Sequence, residues 1–390
     1  MDILPQLGLL LLISALVAML TRRLRLPYTV GLVLAGMALY LFSIRFTLQL
    51  SRDLIFSIFL PPLVFEAALY IHWEELRKDL PVVGALATVG LVSAAIVTAI
   101  GMHYAAHWPW SSANVFGVLI AATDPVSVIA TFKETHTRGR LRLLVEAESL
   151  LNDGTAAVLF VVALSVAAGA NSDPLHIGTT LIVTIAGGVL CGVLSGYVLM
   201  FLAGRTSDPL IQITFTTLAA YGSFHLAEYG HCSGVLSALT AGLVAGHYSR
   251  RASLSKESHA SLESYWEYLT FVVNSLIFLL IGTSMSQQHF SNLWFTVLVA
   301  IVLVTSGRAV AIYPVCLLFS RSALKVDMRH QHLLFWGGLR GALALALALG
   351  LPASLPMHDQ IVTVSFAVVA FSIFAQGLTM GPLLRKLADP

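Results

Sequence analysis

The sequence predicts an all-α polytopic membrane protein of about thirteen transmembrane helices, and three observations carry that reading. Composition comes first: of 390 residues, 57% are hydrophobic and only 11% are charged. A soluble domain carries about 25% charged residues. The second observation is length: a hydrocarbon layer takes roughly 20 apolar residues of helix, and runs of that size recur from one end to the other. The third is loop charge. With the N-terminus outside, eighteen of the 22 Lys and Arg fall in loops on one side, the cytoplasmic side by the positive-inside rule. They run from Arg22, Arg23 and Arg25 through Lys133, Arg138, Arg140 and Arg142 to Arg385 and Lys386, whereas the outer loops hold only Arg45 and Arg52. An error in the number of spans would scramble this alternation.

In chain order, spans are expected near 4–20, 27–43, 53–71, 80–102, 113–132, 145–169 and 175–203. The remainder fall near 209–228, 233–248, 265–284, 290–319, 331–350 and 359–384. The first run, Ile3–Leu20, lacks a basic flank before it and a small-residue cleavage site after it, so it reads as a span and not a signal peptide. The seventh and eleventh runs are long enough to tilt. Connections are short turns such as Asn171-Ser-Asp-Pro174 and Leu351-Pro-Ala-Ser-Leu-Pro356. No soluble regulatory domain is expected, and residues 1–390 form a single membrane domain with 113–169 and 331–384 as its central parts. Cys191, Cys232 and Cys316 make neither a metal spacing nor a disulfide framework and serve as small apolar packers.

Two spans are interrupted. The fifth carries Ala121-Ala-Thr-Asp-Pro-Val126, where proline removes a backbone donor and disfavours helix at Asp124. The twelfth carries Trp336-Gly-Gly-Leu-Arg-Gly341. Matched interruptions in two halves of a membrane protein point to a midplane site between inverted repeats. Breaks seven spans apart fit two inverted six-helix repeats, with the seventh span as connector.

Polar residues collect at the same depth. Glu66, Asp124, Glu148 and Asp153 fall within spans, together with Arg308 and Arg340. An unpaired charge at the bilayer centre costs from about 3 to more than 10 kcal/mol. Two arginines satisfy two carboxylates, and the others must hold a proton, water or a cation. A carboxylate out of water favours its protonated form, and an alkali cation beside it favours the ionised form, so one group holds either but not both. Asp153 is the candidate for that role. The oxygens available to a hard cation are its carboxylate, the Ser149 and Thr123 hydroxyls and carbonyls freed at the break. Glu66 is either a ligand or an accessory acid. Asn152 organises the site by bridging Thr123 or the broken backbone. Asp124 is a counter-charge for the facing half-helix. Glu148 is expected to pair with Arg340, Arg308 to be structural, and His225 to sit in the core. His330 and His332 are placed in a loop without further metal ligands.

At these residues the chain resembles the monovalent cation/proton antiporters of the NhaP and sodium/proton exchanger type. The matching stretches are Phe59-Leu-Pro-Pro-Leu-Val-Phe-Glu66, Ala122-Thr-Asp-Pro-Val-Ser127, Glu148-Ser-Leu-Leu-Asn-Asp153 and Gly337-Gly-Leu-Arg-Gly-Ala342. The resemblance implies thirteen helices in inverted repeats, a homodimer, and a core moving against a dimerisation domain. It implies exchange of Na⁺, Li⁺ or K⁺ for H⁺ at Asp153, with Thr123, Ser149 and Glu66 as co-ligands, and a Glu148–Arg340 pair. Asn at position 152 resembles the branch that exchanges one cation for one proton.

Other classes fit less well. A channel would need a carbonyl-lined filter or a ring of charges. An enzyme would need a motif such as His-Glu-x-x-His or Gly-x-Ser-x-Gly, and both are absent. A net charge of +2, without basic runs interleaved with aromatics, excludes a nucleic-acid partner. The expected partners are monovalent cations, protons, lipid and a second copy. The expected place is a cell membrane with the C-terminus in the cytoplasm, and no cofactor is needed beyond the transported Na⁺ and H⁺.

Overall fold

A computed structural model describes residues 3–24, 26–42, 48–124, 128–129, 132, 139–169, 174–251 and 256–387. Expectations at Arg25, Arg45, Pro125, Val126, Ser127, Lys133, Arg138 and the turn at 171–173 lie outside these residues.

Among the described residues every regular element is helical. α1 (Ile3–Leu24) and α2 (Tyr28–Leu41) precede a π-turn, Leu54–Phe59, that runs into α3 (Leu60–Tyr70). Pro61 and Pro62 directly follow that π-turn in one continuous stretch of helix; lacking an N–H, they cannot donate to the carbonyls of the preceding turn. α4 (Trp73–Ala85) begins on Glu74 and Glu75, acids suited to the positive end of a helix. It continues through a π-turn, Leu86–Gly90, into α5 (Leu91–Ala105). α6 (Trp110–Ala121) stops where the backbone turns extended at Ala122.

α7 (Arg140–Ala167) carries the acidic stretch, followed by α8 (Pro174–Ala203), α9 (Pro209–Tyr229), α10 (Gly234–Arg251) and α11 (Lys256–Met285). The Asp208 carboxylate caps α9 by accepting from the Leu210 amide at 2.8 Å. α12 (Trp294–Leu318) leads to α13 (Met328–Trp336) and α14 (Ala342–Leu349), which flank the second interruption. Next come α15 (His358–Phe371), a π-turn at Ser372–Gln376, and α16 (Gly377–Leu387). His330 and His332 therefore lie on a helix, α13, and not in a loop.

α10 packs on α8 and α3, α11 on α2, α5 on α6 and α12, and α7 on α6. Arg140, at the start of α7, donates to Asp79 at 2.7 Å and to the carbonyls of Leu324 and Lys325 at 2.8 and 2.7 Å. These bonds tie the charged end of α7 to α4 and to the turn after α12. The outer face of α8 is apolar: Ile182, Leu190, Leu194, Val198 and Phe201 are each more than half exposed. Such a patch is unstable against water and stable against lipid. Seven helices among the described residues are long and apolar enough to cross a membrane, and Tyr28–Leu41, Leu54–Tyr70 and Trp110–Ala121 are apolar but shorter. The chain is an all-helical membrane protein.

One core expectation is corrected. His225 lies on the exposed face of α9, because Thr216, Ala219, Ala220, Ser223 and Ala227 form the inward stripe of that helix. His225 is one step off that stripe, with its ring against Phe224.

Candidate ion-binding site

The two interruptions meet. The Asp124 amide donates to the Leu339 carbonyl at 2.7 Å, so the extended segment after α6 hydrogen-bonds the glycine-rich segment before α14. Close contact at this crossing needs glycine. A Cβ on Gly341 would collide with the Asp124 carboxylate, and a Cβ on Gly338 would collide with the Arg308 guanidinium. Asp124 thus rests against the residue that opens α14, where backbone N–H groups face outward and favour a negative charge.

α7 passes behind this crossing and presents four polar side chains to it. Asn152 donates to Thr123 Oγ1 at 3.1 Å, to Glu148 Oε1 at 3.2 Å and to the Ala121 carbonyl at 3.5 Å. Thr123 Oγ1 donates to Ser149 Oγ at 3.2 Å. A single amide therefore links α7 to the last residue of α6 and to the break itself. Glu148 is 1% exposed and Arg308 5% exposed. The Arg308 fork donates to both Glu148 oxygens, at 2.7 and 3.0 Å, and to the Leu334 carbonyl at 2.9 Å.

This pairing corrects the sequence expectation, which joined Glu148 to Arg340. Arg340 instead donates to the carbonyls of Ala121 and Ala122. A helix end leaves its last carbonyls unpaired, and α6 ends where Arg340 crosses it. The guanidinium meets those oxygens first, while Arg308 reaches Glu148 over the bare face of Gly338.

Asp153, 9% exposed, stands apart from that network. Among the described residues none donates a hydrogen bond to its carboxylate. It lines a cavity of about 340 Å³ together with Thr123, Asp124, Glu66, Glu267, Thr270 and Asn274. Ser149 does not reach the cavity and sits behind Thr123. Among the described residues no three His, Cys, Asp or Glu side chains converge as a resident metal centre would need.

Residues 9–386 match the family model described as "Sodium/hydrogen exchanger, transmembrane". The chain belongs to this family. The sodium/hydrogen exchangers are transporters and not enzymes. Among its relatives, the Na(+)/H(+) antiporter ApNhaP of Aphanothece halophytica is 37% identical over 93% of this chain and 70% of that protein. The Na(+)/H(+) antiporter NhaH of Halobacillus dabanensis is 33% identical over 99% of this chain and 98% of its own length. In fold, the exchanger chain superposes on the sodium proton antiporter MjNhaP1 of Methanocaldococcus jannaschii with a TM-score of 0.78. That match covers 100% of this chain and 99% of the other at 20% identity.

Sequence reasoning missed one wall of this exchanger's cavity, the face of α11. Glu267, Thr270 and Asn274 recur at steps of three and four residues. That spacing is one helical face, and it was legible within an otherwise apolar run.

Proposed function

We propose that this protein exchanges Na⁺ for H⁺ across a membrane, one for one, with Asp153 holding the cation and the proton in turn. The observation that supports this most is the position of Asp153. It is a nearly buried carboxylate without a donor among the described residues, opening on a cavity where two interrupted helices cross. Glu148 and the two arginines at this depth have structural occupations. Glu148 is bound by Arg308, and Arg340 is bound to backbone carbonyls.

Exchange follows from charge. A hard cation shorn of water needs oxygen ligands, and here Asp153 and Thr123 supply them, with Ser149 orienting Thr123 and Glu66 on the same cavity. Carboxylate plus Na⁺ and carboxylic acid are both neutral. The site then crosses the membrane with the same charge in each direction, so flux couples one cation to one proton and ignores the membrane potential. Alternating access requires the crossing of α6, α7, α13 and α14 to move as a unit, and the Asn152 and Arg340 bonds are what bind it together. The accompanying architecture is thirteen spans in two inverted repeats, N-terminus outside, working as a homodimer in the cell membrane without a resident cofactor.

The test is Asp153→Asn in proteoliposomes, with proton flux driven by a sodium gradient. The variant should fold, give a monodisperse detergent peak and lose exchange. Sodium-driven proton flux at the wild-type rate would remove Asp153 from the role.

A further inference from the structure

A second groove, of about 420 Å³, runs between α5, α6 and α7 and shares no described lining residue with the cavity at Asp153. Small side chains leave it open. Ala95 and Ala99 of α5 and Ala163 and Ala167 of α7 stand where larger residues would fill the space. α6 still lies close against α5 beside it, because Gly117 has no Cβ to meet the Ala95 carbonyl. The walls look outward: Ile96 is 52% exposed, Val92 39% and Val166 40%. In a chain that spans a membrane, apolar side chains exposed along these helices face lipid.

The groove is polar at one end. Along α6 it runs from Trp110 to Val118, about 12 Å at 1.5 Å per residue, which is close to half of a hydrocarbon layer of about 30 Å. Its polar members, Ser111 and Asn114, both belong to the start of α6, just after the turn at 106–109. Asn114 is exposed and Ser111 half-buried, and neither side chain has a hydrogen-bond partner among the described residues. An amide left unpaired against hydrocarbon costs several kcal/mol. Trp110 borders the same end. Its ring stacks on His103 at 4.1 Å, and His103 Nδ1 is held by the Trp108 carbonyl at 2.7 Å. Tyr104, 68% exposed, lies edge-on to that indole at 6.0 Å. Amphipathic rings of this kind sit at headgroup level. The polar end therefore meets the headgroups, and the end at Val92, Val118 and Leu159 points toward the middle of the bilayer.

We propose that this groove is a specific site for one membrane glycerophospholipid, whose acyl chain lies between α5, α6 and α7 while its phosphate and ester oxygens accept from Ser111 Oγ and Asn114 Nδ2. The two halves of such a molecule match the two ends of the groove. Water would satisfy Asn114 but leave the apolar walls wet, and a hydrocarbon chain alone would leave the amide unpaired. Both donors are uncharged, so they read the oxygens that all glycerophospholipids share and not the head group. Two of the three helices, α6 and α7, also carry Thr123, Asn152 and Asp153 or end beside them, and a chain seated in the groove packs α6 and α7 together without entering the ion cavity. The site does not depend on what Asp153 holds.

The experiment titrates the full chain, delipidated in dodecyl maltoside, with dioleoylphosphatidylglycerol and separately with dioleoylphosphatidylethanolamine. Native mass spectrometry counts bound lipid, and thermal unfolding follows its effect. In the wild type both lipids should fill a saturable site at similar concentrations and raise the unfolding temperature as they do so. Ser111→Ala combined with Asn114→Leu should raise the half-saturating concentration about twentyfold, the worth of two net polar contacts. Ala163→Trp, which fills the groove, should abolish the saturable step. Wild-type half-saturation in these variants overturns the site, and so does binding that rises with added lipid and never saturates, which is the behaviour of an annulus. A tenfold difference between the two lipids overturns the assignment of the donors to shared oxygens. Should Ala163→Trp fail to give a monodisperse protein, the Ser111 and Asn114 variant decides by the same criterion.

Discussion

Replacing Arg308 by methionine keeps the length of the side chain and removes its charge. The consequence can be worked from the contacts it makes. Arg308 donates twice to Glu148 and once to the Leu334 carbonyl. Without it, Glu148 keeps one donor among the described residues, Asn152 at 3.2 Å, in a place where it is 1% exposed. Removing one partner of a buried ion pair costs about 3–5 kcal/mol, because the remaining charge is neither solvated nor neutralised. At about 1.4 kcal/mol per tenfold, the ratio of folded to unfolded protein falls by roughly a hundred- to a few thousand-fold. Among the described residues Arg340→Met removes bonds to two carbonyls and no carboxylate contact, and its loss should sit nearer about 2 kcal/mol. The decisive quantity is coupling. A double-mutant cycle of Glu148→Gln with Arg308→Met should show at least about 2 kcal/mol of interaction, and the same cycle with Arg340→Met less than about 1 kcal/mol. Equilibrium unfolding in mixed detergent micelles measures both. A larger coupling to Arg340 than to Arg308 would refute the assignment of the pair.

Two further outcomes test the crossing and the charge balance. Gly341→Ala places a methyl group on the Asp124 carboxylate; overpacking of this kind costs about 1–3 kcal/mol. It should lower the unfolding temperature and cut sodium-driven proton flux, and wild-type values for both would show that the contact between Asp124 and the start of α14 is not needed. Sodium-driven proton flux in wild-type vesicles should be unchanged when a potassium diffusion potential is imposed and released with valinomycin. A rate that follows the potential would contradict one-for-one exchange.

The polar stretch on α7 was readable because its residues break a strong pattern. In a chain where apolar runs continue for about a membrane thickness, Glu148-Ser-Leu-Leu-Asn-Asp153 stands out by cost alone. The glycines and the proline of the two interruptions stood out for a different reason, since each removes helix-forming capacity at a known position. Thr123, Asn152 and Asp153 could be nominated together because one lies in a break and two lie at the polar start of the next apolar run. The α11 wall went unread, although Thr270 and Asn274 keep helical spacing, because neutral polar residues in a long apolar helix carry a weak signal.

By itself the sequence determined that this chain is a bundle of membrane helices, where two of them lose their helical form, and which acids sit at that depth. Those properties depend on neighbours along the chain: hydropathy over a run, a missing amide at proline, the bare backbone of glycine. The tertiary structure alone decided that Arg308 and not Arg340 binds Glu148, that His225 faces outward, and that α11 completes the cavity. Each of these depends on how one helix is rotated against another. A broken helix end offers free carbonyls that compete with a carboxylate for the nearest guanidinium, and which arginine is nearest is set by packing and not by order in the chain.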